Sequence, residues 1–152
     1  MKRLYPALRR SFFEDVTALG GAALTTLLAL FVFFLNIVPL WYQVTLGLII
    51  IPVVSVVIRH FYFRPRPRIE PHTTWAEKMY ASSFPSIHSA RIWFVAAMLS
   101  LSLKNPFIAI VLLLVAFLVS YSRVTLEKHD SIDGVAGTVL GLVVAAMMLM
   151  VE

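Results

Sequence analysis

Between residues 16 and 58 there is no Asp, Glu, Lys or Arg, only apolar side chains with a few hydroxyl and amide groups among them. A helical crossing of a bilayer takes about 20 apolar residues, so the run supplies two crossings. Its backbone N–H and C=O groups must pair with one another wherever lipid replaces water, which calls for helices. The whole chain agrees: 60% of its 152 residues are hydrophobic and 14% charged, against roughly half apolar in soluble domains. The expected fold class is therefore all-α, a polytopic membrane bundle of about five transmembrane helices forming a single domain over residues 1–152.

Residues 1–15 place Lys2, Arg3, Arg9 and Arg10 between Leu4, Tyr5, Leu8, Phe12 and Phe13, the pattern of a basic amphipathic segment in the interface. The first apolar run follows a long polar segment and ends at Phe33, Phe34 and Leu35 without a small-x-small cleavage site, so it is read as a mature helix rather than a signal peptide. Crossings are expected over residues 16–35 and 43–58, with Asn36 and Pro39 between them and Pro52 inside the second. The long polar stretch 59–83 reads as a loop, after which Pro85 suits the first position of a third crossing that reaches residue 103. Lys104, Asn105 and Pro106 form a turn before a fourth crossing, 107–121, and a fifth covers 132–151. With five crossings, twelve of the 13 Lys and Arg residues fall on one side and only Lys104 on the other.

The segment 122–133, Ser-Arg-Val-Thr-Leu-Glu-Lys-His-Asp-Ser-Ile-Asp, lies on that basic side. If Asp130 or Ser131 opens the last helix, Asp133 lies one turn beyond His129 on the same side. A carboxylate there fixes one imidazole nitrogen and leaves the other to act as base, nucleophile or metal ligand. Arg123 adds a permanent cation for an anionic substrate. Two further clusters belong to the same side: Arg59, six residues, then Arg66-Pro67; and Pro85-Ser86-Ile87-His88.

Together the three clusters resemble the motifs of the type 2 phosphatidic acid phosphatase superfamily, K-x6-R-P, P-S-G-H and S-R-x5-H-x3-D. The third matches in full, the first has Arg59 for lysine, and the second has Ile87 for glycine. The resemblance covers residues 59–133, about half the chain, and its specificity lies in nine matched positions in the right order. It implies that His129 attacks phosphorus, that Asp133 orients it, and that His88 protonates the leaving oxygen. Arg59, Arg66, Arg123, Ser86 and the backbone at Ile87 would hold phosphate oxygens. Isoleucine at 87 disfavours a φ > 0 backbone there and adds bulk. The family usually has six spans, so its first is missing here or reduced to the surface segment.

The implied function is metal-independent hydrolysis of a lipid phosphate monoester or diphosphate, on a polyprenyl diphosphate, phosphatidylglycerophosphate, phosphatidate or lipid A type of substrate. The alternative is a small transporter or a catalytically silent protein that binds lipid phosphate. No cofactor or metal is expected: cysteine is absent, and Glu127, Asp130 and Asp133 come from one short segment. A net charge of +5 points to anionic partners, phospholipid headgroups rather than nucleic acid. The expected location is the cell membrane. The four cations before the first crossing favour a cytoplasmic active site, whereas the resemblance favours the outer face. Arg64, Arg68 and Arg91 match no motif position, nor do His60 and His72, which read as interfacial residues.

Overall fold

The computed structural model describes residues 4–35, 37–68 and 71–151, and among these it contains seven helices and no strand. They are α1 (Leu4–Ala18), α2 (Ala22–Phe34), α3 (Val38–Phe61), α4 (Trp75–Ala81), α5 (Ile87–Leu103), α6 (Pro106–Thr125) and α7 (Ser131–Met148). Lys2, Arg3, Asn36 and part of the 59–83 stretch, residues 69 and 70, lie outside the described residues.

Helix α5 is the axis of the bundle. Its Ala90, Phe94 and Met98 are wholly buried against Val44 and Ile51 of α3 and against Val144, Ala145 and Met148 of α7. On another face, Ile92 and Ala96 pack on Ala116 and Val119 of α6, with Val16 of α1 beside them. The outward side chains are also apolar, Phe31, Phe34, Ile110, Leu114, Phe117 and Val139 among them. A soluble fold would hide such a surface; here it faces lipid. The protein is a membrane protein.

Close approach of α7 to α5 depends on Gly137 and Gly141, four residues apart and so on one face of α7. A β-carbon at Gly137 would sit 2.3 Å from the Ser86 carbonyl oxygen, and one at Gly141 would sit 2.3 Å from that of Ala90. No L side chain fits either place, and the backbones touch.

By length and composition, three described helices can each cross a membrane, Pro39–Phe61, Pro106–Thr125 and Ser131–Met148. The first crossing departs from the expected single helix over residues 16–35. Helix α1 continues to Ala18, and after a turn containing Gly20 and Gly21 the chain resumes as α2, bent by 41°. The pair is long enough to cross together. In this turn Gly20 lies against α5 and α6: a β-carbon there would be 2.9 Å from both the His88 carbonyl oxygen and Val119 Cγ1. Helix α5 has only 17 residues, about 26 Å at 1.5 Å per residue. Five crossings is thus an approximate count.

Two more expectations are corrected. The long loop contains α4, started by a capping box in which Thr74 Oγ1 accepts from the Glu77 amide and Glu77 accepts from the Thr74 amide. Pro85 does not open α5. The helix begins one residue after Ser86, which is its N-cap, and the Phe84–Pro85 peptide is cis. Ser86 takes the cap, its hydroxyl accepting from the Ser89 amide at 3.4 Å, and Pro85 is left outside the helix.

Candidate active site

Four walls form the site, the first held by an arginine side chain on backbone carbonyls and the other three by backbone pairing. The first is the end of α3, where Arg59 turns inward, 4% exposed. Its guanidinium donates through Nη1 to the Met79 carbonyl and through Nη2 to that of Pro85, both at 3.0 Å, and through Nε to that of Phe84 at 3.4 Å. Arg59 therefore clamps the segment that leads into α5, and two of its five N–H groups remain for another acceptor.

The second wall is the polar segment after α3. It runs against the segment before α5 through a bridge between Pro65 and Ser82, and the Ser83 amide donates to the Arg64 carbonyl at 2.8 Å. Arg66 lies on this wall, 8% exposed, with Nη2 on the Tyr80 carbonyl at 2.7 Å and its guanidinium 5.0 Å from the Tyr80 ring. His60 and His72 pack on the rings of Trp75 and Phe63, away from this cluster.

The third wall is the start of α5. The Ser86 amide donates to the Asp133 carbonyl at 3.0 Å, which ties α5 to α7, and the Ser86 hydroxyl accepts from Ser89 Oγ at 3.1 Å. Ile87 is the first residue of the helix in ordinary right-handed conformation, with its side chain against the apolar core. Glycine is not required here: no positive φ is adopted, and the extra bulk points away from the polar cluster. The amides of Ile87 and His88 belong to the first turn, whose N–H groups have no intrahelical acceptor and favour an anion.

The fourth wall is the end of α6 with its following loop. Arg123, 7% exposed, donates through Nη1 to Thr17 Oγ1 of α1 at 3.2 Å, and its carbonyl accepts from the Lys128 and His129 amides at 3.1 and 3.3 Å. Those bonds fold the loop back and bury His129 to 3% exposure. Asp133 is fully buried one turn into α7, which opens at Ser131 with Asp130 as N-cap.

His129 Nδ1 faces Asp133 Oδ2 at 3.7 Å, an electrostatic contact longer than a hydrogen bond. The expected pairing is placed but not closed. The carboxylate is occupied elsewhere: Oδ2 accepts from the Asp130 amide at 2.9 Å, and Oδ1 from Arg64 Nη1 at 2.8 Å. Arg64 Nη2 reaches Asp130 Oδ2, also at 2.8 Å. Reading by motif spacing passed over Arg64, which fails the register by two residues. Its signal was present in the Arg-Pro-Arg-Pro-Arg run, where residues two apart on an extended segment lie on one side, so that Arg64 shares the side of Arg66.

The side chains converge. His88 lies within electrostatic range of His129, Arg123, Arg91 and Arg66, and His129 within range of Arg123, Arg66 and Asp133. Burial pushes the His129 imidazole below its ordinary value; Asp133 opposes this, and Arg123 and Arg66 add to it. At neutral pH the ring is uncharged, so the nitrogen that faces away from Asp133 has a free lone pair. Such a cluster can bind a tetrahedral anion, attack it, and transfer a proton. Among the described residues no group of three or more His, Asp or Glu side chains is arranged to hold a metal ion.

Over residues 38–152 the sequence matches the family model described as the PAP2 superfamily. No curated protein matches the sequence. Among solved structures the fold is similar to the crystal structure of Aquifex aeolicus LpxE, with a TM-score of 0.78 and 23% sequence identity over 94% of this chain and 86% of that one.

Proposed function

Because the chain belongs to the PAP2 superfamily, we propose that it is a lipid phosphatase, hydrolysing a phosphate monoester or diphosphate of a membrane lipid through a phosphohistidine on His129. The observation that carries this reading is the convergence of the buried His129, a second histidine and the cations Arg66 and Arg123. In the first step the free imidazole nitrogen of His129 attacks phosphorus, the bond to the lipid oxygen breaks, and His88 gives that oxygen its proton. In the second, His88 takes a proton from water, the water oxygen attacks phosphorus, and the P–N bond breaks to return the lone pair to His129. Arg66, Arg123, the remaining N–H groups of Arg59, the Ser86 hydroxyl and the first amides of α5 stabilise the equatorial oxygens. A phosphate among these cations also supplies the counter-charge that makes a proton on His88 less costly. The test is a screen of purified protein for inorganic phosphate released from lipid phosphates and diphosphates. Release from none of them removes the proposal and favours a silent binding protein.

The acid role of His88 has its own check. A lipid alkoxide needs a proton on departure, whereas nitrophenolate hardly does. His88→Ala is expected to lose about 10²–10⁴-fold in kcat/KM on a phosphatidate-like lipid and much less on p-nitrophenyl phosphate. Equal losses on both substrates would mean that His88 serves the fold and not proton transfer.

Arg64 is proposed as a positioning residue that acts through Asp133. Two charge-assisted bonds fix the carboxylates of Asp133 and Asp130 and so aim Asp133 Oδ2 at His129. The bond to the buried Asp133 is of a kind worth about 1.5–3 kcal/mol, and the one to the half-exposed Asp130 contributes less. Arg64→Gln is expected to lower kcat about tenfold with little change in KM, and Arg64→Lys to recover part of it. Without Arg64 the charge of Asp133 acts on His129 uncompensated and raises its pKa. The acidic limb of kcat/KM should therefore move to higher pH, whereas a loss of fold alone would lower the profile at every pH alike.

A further inference from the structure

A second concentration of cations lies beside the catalytic cluster, outside the three motifs. A recess of about 280 Å³ is lined by Arg9, Arg10 and Phe13 of α1, by Arg68, and by Leu126 and Glu127. Three guanidiniums thus come together from two segments far apart in sequence. The Arg9 guanidinium lies 5.9 Å from the Phe13 ring, and Arg10 pairs with Glu14 at 3.0 Å. Among the described residues Arg9 and Arg68 have no carboxylate partner within ion-pair distance. Counting Glu14 and Glu127 against the three arginines leaves a surplus of one positive charge.

The recess is built rather than incidental. The Arg68 amide donates to the Glu127 carbonyl at 3.3 Å, and Glu127 adopts the left-handed conformation, φ 56°, that turns the chain there. Two of its residues lie close along the chain to the catalytic cluster, since Arg68 follows Arg66 by two residues and Glu127 precedes His129 by two. On α1 the neighbouring Leu8 and Phe12 are exposed apolar side chains, which puts this mouth at the depth where headgroups lie.

We propose that the recess is an accessory site for a second phosphate group carried by a membrane lipid, held by Arg9 and Arg68 while the reacting phosphate occupies the catalytic cluster. Phosphate suits the donors, since guanidinium forks match its oxygens in pairs. The group comes from either of two sources, a further phosphate on the substrate itself or the headgroup of a neighbouring acidic lipid. The inference rests on the phosphatase reading, and its test is arranged to separate the two.

The double variant Arg9→Gln/Arg68→Gln of the full chain is compared with wild type on three substrates. These are p-nitrophenyl phosphate, a lipid with one phosphate in phosphatidylcholine micelles with or without added phosphatidylglycerol, and a lipid with two phosphates. Exposed charge pairs contribute modestly, so KM should rise about five- to tenfold with kcat unchanged. A rise confined to the two-phosphate lipid assigns the site to the substrate. Loss of an effect of phosphatidylglycerol on the one-phosphate lipid assigns it to a neighbour. In both cases p-nitrophenyl phosphate turnover stays at the wild-type level. Unchanged KM in both lipid arms, or equal losses on all three substrates, overturns the proposal. If the wild type hydrolyses nothing, the phosphatase reading fails first, and thermal stabilisation by the two-phosphate lipid decides the recess without turnover. Stabilisation diminished in the double variant supports the site, and equal stabilisation of variant and wild type removes it.

Discussion

His129→Ala is expected to reduce turnover by at least about 10⁴-fold on every substrate, activated or not, because no other group can take up the phosphoryl in the proposed mechanism. The variant should still fold. The loop is held by the Lys128 and His129 amides on the Arg123 carbonyl, and those backbone bonds survive loss of the ring. Binding should also survive, since Arg66 and Arg123 remain, so a substrate lipid should still stabilise the dead variant against heat. Trapping with radiolabelled substrate should label wild type and not the variant, and vanadate, which takes up five-coordinate geometry, should inhibit wild type. Asp133→Asn should be impaired but not dead. With the His129 imidazole held below its ordinary range by burial, kcat/KM should stay level on acidification until the pH is well below about 6.5. Near-normal activity in His129→Ala would end the phosphohistidine assignment.

The second large effect is expected from three glycines of α7 that look equivalent in sequence. Gly137→Ala would place a β-carbon 2.3 Å from the Ser86 carbonyl oxygen, and Gly141→Ala would place one 2.3 Å from that of Ala90. Both obstacles are backbone and cannot rotate away, so α7 must move off α5 at a cost of about 1–3 kcal/mol, or more. The displacement at Gly137 falls on the junction where the Ser86 amide meets the Asp133 carbonyl, so activity should drop along with thermal stability. Gly134 is next to Asp133 itself, yet a β-carbon there meets nothing within 4 Å. Gly134→Ala should leave activity intact and raise stability by a few tenths to about 1 kcal/mol through helix propensity. Denaturation midpoints and specific activities of the three variants test the ordering. Harm from Gly134→Ala equal to that from Gly137→Ala would contradict the packing described for α5 and α7.

The family and the all-helical membrane fold were legible in the sequence for a physical reason. Hydropathy reports the solvent each segment meets, and motif spacing reports which polar groups must share a helix end. The last helix opens at Ser131 with Asp130 as its cap, within the pair of residues at which it was expected to open. Less was legible where tertiary contact overrides local preference. The turn at Gly20 seats the chain against a carbonyl of α5, nearly 70 residues away, and no window over residues 16–35 contains that information. Helix α4 was a different failure, because Thr74 and Glu77 form a capping box that the sequence displays openly. In the site, spacing identified residues that meet but not what each touches. Arg59 grips three carbonyls, and Arg64 takes the carboxylate that was expected to hold His129. Side chains with five donors find partners by shape, which no one-dimensional pattern records.

The part of the chain that matches the family begins at residue 38, but the physical floor of the site does not. Thr17 accepts from Arg123, Gly20 lies under the backbone of His88, and Val16 and Phe13 rest on α6 through Val119 and Tyr121. Two of the residues assigned to catalysis or binding are thus seated on a helix pair that no motif includes. Excising residues 1–37 would not yield a minimal phosphatase. It would strip one anchor from Arg123 and open the underside of α5 to lipid, and the boundary drawn by resemblance would cut through the middle of a working part.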